Sequence, residues 1–217
     1  MYSESITISE VGPRDGLQME QVHLSSADKV RLITALADAG LRRIEITGFV
    51  HPKVIPQFKD AADVARTVPR REGVHYAAFV PNRQGAENAV AAGVDELKCG
   101  IAASETFNRL NVRMDMEAGR ASLDEIAAAA EGSDTRIVGV VATAFGCPYE
   151  GEVPFAMVER LFGQLAGLGA ELIYLADTTG VADPVCVGDR VERLQHAFPD
   201  TRVGLHLHNT RGLGLAN

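Results

Sequence analysis

Short runs of β-branched and other apolar residues alternate along the chain with longer segments whose apolar positions recur every three to four residues. The short runs predict seven strands: Ile6–Val11, Arg43–Thr47, Val74–Val80, Glu96–Ile101, Arg136–Ala142, Leu172–Ala176 and Arg202–His208. The longer segments predict six amphipathic helices: Ser26–Ala39, Gln57–Thr67, Gln84–Ala92, Met116–Ala130, Phe155–Leu168 and Pro184–Ala197. Glycine closes three of these helices just before the next strand, at Gly40, Gly93 and Gly169.

Regular alternation of strand and helix predicts parallel strands joined by right-handed crossovers. Either an open doubly wound sheet or a (β/α)8 barrel would satisfy this order. No G-x-G-x-x-G turn follows the first strand, which disfavours the dinucleotide-binding form of the open sheet. We therefore expect an α/β protein with a TIM (β/α)8 barrel, of which seven βα units are visible and the closing eighth strand is missing after Asn217. Residues 1–217 are then one domain, incomplete at its C-terminus.

The composition limits the partners of the protein. Hydrophobic residues make up 46% of the chain and charged residues 23%, as in ordinary soluble globular proteins. The net charge is -8 and no run of Lys or Arg forms a basic stripe, so we expect no nucleic-acid partner. No apolar stretch approaches the length of a membrane span, so no membrane partner is expected either. The three cysteines are far apart and form no C-x-x-C pair, which favours a reducing, cytoplasmic location.

Polar side chains collect near the ends of several predicted strands. In a TIM barrel the active site lies at the C-terminal ends of the strands. The residues in question are Arg14 and Asp15 after the first strand, Glu45 and Thr47 on the second, Asp177, Thr178 and Thr179 at the sixth, and His206, His208 and Asn209 at the seventh. We expect these side chains to form the active site.

The two histidines of the seventh strand predict a metal site. Side chains alternate along a strand, so His206 and His208 point to the face opposite Leu205 and Leu207. The leucines would face the helical layer and the imidazoles the barrel axis. Two imidazoles with the carboxylate of Asp15 make a partial site for a divalent cation. An isolated H-x-H is more often a coincidence on a polar strand end, and Asp15 is what shifts the balance towards a metal.

Arg14 and Glu45 predict a second polar group in the barrel interior. Glu45 lies between Ile44 and Ile46, so it faces the interior if the isoleucines face the helices, and it then needs a partner such as Arg14. The fixed positive charge of Arg14 suits a developing enolate oxygen. A surface ion pair between Arg14 and Asp15 is the alternative. Asp177 either acts on the substrate or caps the following turn, and Cys147 is expected to shape its loop rather than act as a nucleophile.

These residues together resemble the 3-hydroxy-3-methylglutaryl-CoA lyase family, the metal-dependent, pyruvate-carboxyltransferase-type TIM barrels. The stretch Glu10-Val11-Gly12-Pro13-Arg14-Asp15-Gly16-Leu17-Gln18 is its most specific signature. Further matching stretches are 44–50, 102–105, 145–151 and His206-Leu207-His208. Related condensing synthases share the Arg-Asp-Gly core but open it differently, so the lyase is the better match.

The resemblance implies cleavage of 3-hydroxy-3-methylglutaryl-CoA to acetoacetate and acetyl-CoA, a step of leucine breakdown. It implies Mg²⁺ or Mn²⁺ on Asp15, His206 and His208, and reacting roles for Arg14, Glu45 and Asp177. It also implies substrate binding by Arg14, Gln18, Asn111 and Thr179, an acyl-CoA partner and a homodimer.

The family pattern is not followed at every position. Met19, Gln21, Gly48 and Asn209 replace the Asn, Lys-like, Ser and Asp positions of the family pattern. A related 3-hydroxyacyl-CoA lyase, such as one that cleaves citramalyl-CoA, and a catalytically silent barrel-like binding protein therefore stay open as alternatives.

Overall fold

A computed structural model describes residues 6–217 and shows strands and helices in regular succession. The strands are β1 Ser9–Glu10, β2 Arg43–Gly48, β3 His75–Phe79, β4 Glu96–Ala102, β5 Arg136–Ala142, β6 Leu172–Asp177 and β7 Arg202–Leu207. The helices are α1 Ser26–Asp38, α2 Ala61–Thr67, α3 Arg83–Ala91, α4 Glu105–Asn111, α5 Met116–Ala130, α6 Phe155–Gly167 and α7 Pro184–Ala197. A π-helical turn, Gly12–Gly16, follows β1, and a 3₁₀ turn, Pro56–Phe58, precedes α2.

The chain divides into two compact units, and β4 runs from the first into the second. The first unit holds the residues up to Lys98 together with Ala129–Arg136. Its strands lie in the order β1, β2, β3 and β4, and each pairs in parallel with the next. The register places Glu10 beside Ile44 and Phe79 beside Lys98. The C-terminal ends of β1, β2 and β3 therefore lie at one edge of this sheet.

The second unit holds Cys99–Ala128 and Ile137–Asn217. Its strands follow the order β4, β5, β6 and β7. β5 pairs in parallel with β6, and β6 pairs in parallel with β7 along its whole length, from Leu172 beside Arg202 to Asp177 beside Leu207. This register brings the end of β6 next to the His206 region of β7.

Two strands are buried from end to end. Every residue of β2 and of β6 is buried, which is typical of parallel strands covered on both faces. Helix α6 packs its apolar face into the core of the second unit through Val158, Leu161, Phe162 and Leu165. The buried charged residues Arg43, Glu45 and Asp177 are exceptions to this apolar pattern, so each requires a polar partner.

The structure corrects three element predictions. The first strand was expected over Ile6–Val11 but covers only Ser9–Glu10, and Ile6 and Ile8 are exposed. The second helix starts at Ala61 rather than Gln57, because Pro56 opens a separate 3₁₀ turn. Helix α4 was not predicted, since its seven residues are too few to show a helical period, although Ser104 caps it by accepting from Phe107 N.

The three helix-closing glycines are confirmed. Gly40, Gly93 and Gly169 have φ values of 96°, 77° and 86°, a left-handed conformation that side chains with a Cβ rarely adopt. Within residues 6–217, no helix is both long and apolar enough to cross a membrane.

Candidate active site

A π-helical turn presents Arg14 and Asp15 directly after β1. The backbone N–H groups of both residues donate to Val11 O, at 3.0 and 2.7 Å. Pro13, the second residue of the turn, is buried and fixes the backbone there. The turn therefore sets where the Arg14 and Asp15 side chains begin, independently of any ligand.

The guanidinium of Arg14 is held by several contacts within the first unit. Its Nε donates to Glu45 Oε1, and its Nη1 donates to Asp15 Oδ1 at 3.0 Å and to Gln18 Oε1 at 3.5 Å. Its central carbon lies 5.0 Å from the centroid of the Phe79 ring, a cation–π distance. The expected partnership of Arg14 and Glu45 is present, and the alternative of a surface ion pair does not describe a side chain that is only 12% exposed.

Glu45 is completely buried and has a second cationic partner. Lys98 Nζ donates to Glu45 Oε2 at 2.7 Å, so each carboxylate oxygen accepts from a different cation. Burial alone would raise the pKa of Glu45, but the charges of Lys98 and Arg14 outweigh it and hold the pKa below its ordinary value of 4.5. Glu45 is thus a stable anion that can orient Arg14.

Lys98 was missed in the sequence, although a signal was present. On β4, Glu96 and Lys98 are two residues apart, so they share one face of a strand whose other residues are mostly apolar. Both are buried, and charged residues in such a strand need ionic partners. Glu96 finds them in Arg43, at 3.2 Å, and Arg136, at 3.3 Å, and Lys98 finds Glu45.

His206 and His208 of the second unit form the predicted imidazole pair. Their Nε2 atoms are 3.0 Å apart and their ring centroids 5.0 Å apart, which confirms that alternation puts them on one face. Leu205 is 36% exposed, so its expected cover by a helical layer is not seen.

The spacing of the imidazole pair suits a divalent cation. A distance of 3.0 Å fits a hydrogen bond between the rings. It also equals the separation of adjacent donor atoms around a six-coordinate ion with ligand distances of about 2.1 Å. Asp15 offers a carboxylate oxygen and the two histidines offer ring nitrogens, a mixed donor set that divalent first-row metals accept. The two imidazoles therefore have a spacing that a divalent cation accepts, and Asp15 as their third partner stays a prediction.

The carboxylate of Asp177 is engaged by the backbone. Its two oxygens accept from Val181 N at 3.0 Å and from Ala182 N at 3.1 Å, and the side chain is fully buried. Of the two alternatives for Asp177, the geometry favours capping the turn over contact with a substrate.

Thr178 and Thr179 follow Asp177 and bind backbone groups of the β5–α6 connection. Thr178 Oγ1 accepts from Thr143 N at 2.8 Å, and Thr179 Oγ1 donates to Gly146 O at 3.5 Å. Thr179 is half-buried, so part of it faces outward. These contacts fix the end of β6 to the connection that contains Cys147.

Cys147 is buried and lies within its loop's own hydrogen-bond pattern. Its Sγ is 2.9 Å from Ser104 Oγ and accepts from Tyr149 N at 3.4 Å, while its backbone bridges to Gly151. These contacts agree with the loop-shaping role expected for it.

Asn111 stands at the exposed end of α4. Its neighbour Asn108 is buried instead, where it donates to Ala102 O at 2.8 Å and accepts from Ala102 N at 2.9 Å. Asn108 thereby fixes the end of β4 to α4, a role that sequence reasoning missed. The predicted substrate contact of Asn111 stays a prediction.

Comparison with models of known protein families shows the family to which the chain belongs. The model of the family described as HMGL-like matches residues 5–217. The chain belongs to the HMGL-like family. This membership confirms the expected family and the lyase class.

Two curated relatives and two solved structures give the similarity in detail. Hydroxymethylglutaryl-CoA lyase of Bacillus subtilis (strain 168) is 44% identical over 216 residues, which are 100% of this chain and 72% of that protein. The mitochondrial hydroxymethylglutaryl-CoA lyase of Rattus norvegicus is 40% identical, over 98% of this chain and 65% of that protein. The chain thus spans roughly two thirds of the length of such relatives.

The structural likeness confirms the predicted α/β barrel class. The crystal structure of the B. subtilis HMG-CoA lyase matches with a TM-score of 0.95 and 44% identity, over 100% of this chain and 72% of that one. An HMG-CoA lyase from Acinetobacter baumannii, solved in complex with coenzyme A and 3-methylmalate, matches with a TM-score of 0.94 and 40% identity, again over 100% and 72%.

Proposed function

We propose that the protein is a hydroxymethylglutaryl-CoA lyase, which cleaves 3-hydroxy-3-methylglutaryl-CoA to acetoacetate and acetyl-CoA in leucine breakdown. The observation that carries this proposal is the 44% identity to the B. subtilis lyase along the whole of this chain. The arrangement of Arg14, Glu45 and Asp15 supports it, because it provides a rigidly oriented cation beside a carboxylate at a strand end.

The metal ligands in this proposal are Asp15, His206 and His208, which would hold Mg²⁺ or Mn²⁺. The 3.0 Å separation of the two imidazole nitrogens and the chemistry of the donor set support the assignment. A cation held there would supply Lewis acidity, which would ease loss of the substrate's hydroxyl proton. Asp15 also accepts from Arg14 Nη1, so the same hydrogen bond orients the metal ligand and the arginine.

The chemistry assigned to Arg14 is stabilisation of the enolate. In a retro-Claisen cleavage the tertiary hydroxyl loses its proton and becomes the carbonyl of acetoacetate. The C2–C3 bond breaks, and its electron pair moves to the thioester carbonyl, giving the enolate of acetyl-CoA. The enolate then takes up a proton at C2 to give acetyl-CoA, which balances the proton that the hydroxyl released. The hydrogen bonds that Arg14 makes within residues 6–217 use Nε and Nη1, which leaves Nη2 to donate to the enolate oxygen. A fixed donor aimed at developing charge lowers the barrier without reorganisation.

The remaining assigned residues orient Arg14, bind the substrate or cap a turn. Glu45 orients Arg14 as an anion, and Gln18 binds substrate while contacting Arg14 Nη1. Thr179 and Asn111 are assigned to substrate binding from the family resemblance. We assign Asp177 to the turn after β6 rather than to the reacting hydroxyl, because its oxygens accept backbone hydrogens of that turn and its side chain is fully buried.

A second candidate, cleavage of a related thioester such as citramalyl-CoA, is favoured by the departures from the family pattern. Gly48 replaces a serine and sits where a Cβ would approach the Phe58 ring at 3.1 Å. Met19 replaces an asparagine and is exposed. These changes alter side chains near the strand ends without touching Arg14, Asp15 or Glu45, so they bear on the acyl group rather than on the reaction type.

An acyl-CoA substrate, a homodimer and a cytoplasmic location complete the proposal. The B. subtilis relative and the absence of a C-x-x-C pair support the cytoplasm. The Acinetobacter lyase in complex with coenzyme A supports an acyl-CoA partner. The dimer and the absence of nucleic-acid and membrane partners stay predictions.

The deciding experiment measures acetyl-CoA release by the whole protein from 3-hydroxy-3-methylglutaryl-CoA and from citramalyl-CoA. Each substrate is tested with Mg²⁺, with Mn²⁺ and after chelation. Metal-dependent cleavage of the first substrate at the higher kcat/KM supports the proposal. Preference for citramalyl-CoA would replace it with the second candidate. No release from either substrate, by folded protein with metal, would point to a silent binding protein.

A further inference from the structure

Lys98 is a buried lysine that faces the carboxylate on which the position of Arg14 depends. Its side chain is 5% exposed, and its Nζ lies 2.7 Å from Glu45 Oε2. It ends the segment of β4 that belongs to the first unit, and its register partner on β3 is Phe79, the ring under Arg14. Lys98, Glu45 and Arg14 thus form one continuous polar group inside an apolar sheet.

A buried lysine is not needed to stabilise such a sheet. Taking an ammonium and a carboxylate out of water costs several kcal/mol per ion, and well-packed apolar residues often serve stability equally well. The ion pair therefore points to a role in the geometry or electrostatics of the group, beyond the fold.

The charges around Arg14 show what that role is. Arg14 contacts two carboxylates, Glu45 and Asp15, whose combined charge would more than cancel its own. Lys98 brings the group of four ionised side chains to electrical neutrality. The two oxygens of Glu45 also have different partners, because Oε2 accepts from Lys98 Nζ and Oε1 accepts from Arg14 Nε. The carboxylate is thereby fixed at both oxygens and cannot rotate away from Arg14.

We propose that Lys98 is a positioning residue of the lyase reaction, which locks Glu45 so that Arg14 keeps its orientation and its effective positive charge towards the enolate. This inference rests on the proposed function. In this role Lys98 itself does not contact the reacting atoms. Lys98 acts through Glu45, so removal of its charge should lower kcat more than it changes KM.

The test compares Lys98→Met with Lys98→Arg and with a matched control in the whole protein at saturating Mn²⁺. Methionine keeps the length of the side chain without the charge. The control is Lys29→Met, because the Lys29 side chain is 6% exposed and its Nζ lies 2.5 Å from Asp60 Oδ1. Its Nζ binds Gln57 O and Asp60 rather than Arg14 or Glu45. Direct loss of a charge-stabilising donor lowers kcat about 10²–10³-fold, so loss of a residue that acts through another should lower it about 10- to 100-fold.

The expected pattern is a fall in kcat for Lys98→Met with KM changed less than about threefold, and partial rescue by Lys98→Arg. Lys29→Met should lose stability with its kcat kept. Lys98→Met that stays folded and keeps kcat within about twofold would overturn the proposal. A rise in KM alone would overturn it too, because it would make Lys98 a substrate anchor.

A readout that needs no turnover separates this inference from the proposed function. The Nε–Hε signal of Arg14 in nitrogen-15 NMR reports its hydrogen bond to Glu45. We expect that signal to shift or broaden in Lys98→Met and to stay in place in Lys29→Met. If the wild type cleaves neither thioester but the signal responds as expected, the proposed function fails while the positioning by Lys98 stands. If the wild type is active, and Lys98→Met changes neither the Arg14 signal nor kcat, only the inference about Lys98 fails.

Discussion

Arg14 donates its Nε hydrogen to Oε1 of Glu45, a residue 31 positions further along the chain that is buried completely. The hydrogen bond joins the turn after β1 to the middle of β2. It fixes the plane of the guanidinium, because Nη1 is held at the same time by Asp15 and Gln18. An arginine in this state has lost its rotational freedom before any substrate arrives, which is the preorganisation that electrostatic catalysis requires.

Arg14→Gln should lower kcat by about 10²–10³-fold and change KM little, because the charge is needed mainly as the enolate forms. Arg14→Lys should rescue only in part, since an ammonium lacks the planar fork that Glu45 and Asp15 hold. Steady-state kinetics of acetyl-CoA release at saturating metal provide the measurement. A large rise in KM at constant kcat would show instead that Arg14 anchors a carboxylate or phosphate.

Glu45→Gln should destabilise the protein by about 3–5 kcal/mol at pH 7, because it leaves two buried cations without their anion. The folded state holds the pKa of Glu45 below the ordinary 4.5, chiefly through Lys98 and Arg14 acting against the effect of burial. Its stabilisation is therefore fully present above the unfolded pKa and is lost as the pH falls through the folded pKa. The difference in free energy of unfolding between wild type and variant should therefore stay constant down to the ordinary pKa of 4.5 and shrink below it.

Urea unfolding between pH 7 and about pH 3 measures that difference, because the range has to extend well below 4.5. Glu87→Gln is the control, since Glu87 is 43% exposed in a pair with Arg83 on the surface of α3, where such pairs contribute little. A gap between wild type and Glu45→Gln that is small at pH 7, or that grows towards acid, would contradict the ionised state assigned to Glu45.

The sequence predicted part of the site because strand alternation places Glu45 on the face of β2 opposite Ile44 and Ile46, and His206 and His208 together on one face of β7. Lys98 escaped prediction because its partner Glu45 lies two strands away, and the register that brings them together, with a shift between Glu45 and Thr47, has no signal in the sequence. Asp177 could not be decided for a similar reason, since its partners are backbone N–H groups of a turn whose conformation has no side-chain signature.

The sequence predicted the long strands and helices better than it predicted the bounds of the short ones. The bounds of β5, α5 and α7 agree with the sequence pattern, because long periodic segments carry many consistent positions. The first strand was too long in the prediction, since the apolar Ile6 and Ile8 match a strand pattern but stand exposed. Short elements depend on their surroundings more than on their own residues.

Metal should stabilise the folded protein through Asp15, His206 and His208. A ligand at 100 times its Kd adds about 2.7 kcal/mol, which corresponds to a rise of roughly 5–10 °C in Tm for a protein of this size. We expect such a rise with Mn²⁺ for the wild type, and little or none for Asp15→Asn and His206→Gln. His196→Gln serves as the control, because His196 is an exposed residue of α7. An equal rise in all four proteins would place the metal elsewhere.

Asp177→Asn should lower stability by about 1–3 kcal/mol and keep kcat within about tenfold, because an amide can accept from only one of the two backbone N–H groups. Thermal unfolding and kinetics on the same preparation separate the alternatives. A fall in kcat of more than about 100-fold with unchanged stability would show that Asp177 acts on the reacting hydroxyl of the substrate.

Cys147→Ala should remove two contacts and leave the chemistry in place. The variant loses the 2.9 Å contact with Ser104 Oγ and the hydrogen bond from Tyr149 N, which should destabilise the protein by about 1–2 kcal/mol. Cys147→Ser should be closer to wild type in stability, because a hydroxyl can still accept from Tyr149 N. Neither variant should change kcat by more than about threefold, since the thiol shapes its loop.

Alkylation with iodoacetamide gives an independent measurement for the same residue. Cys147 is only 6% exposed, so mass spectrometry should find it unlabelled in the native protein and labelled after unfolding. Cys186, which is less buried, is the internal reference for labelling of the native state. Rapid native labelling of Cys147 with matching loss of activity, or a 100-fold loss of kcat in a folded Cys147→Ala, would show that the thiol takes part in the reaction.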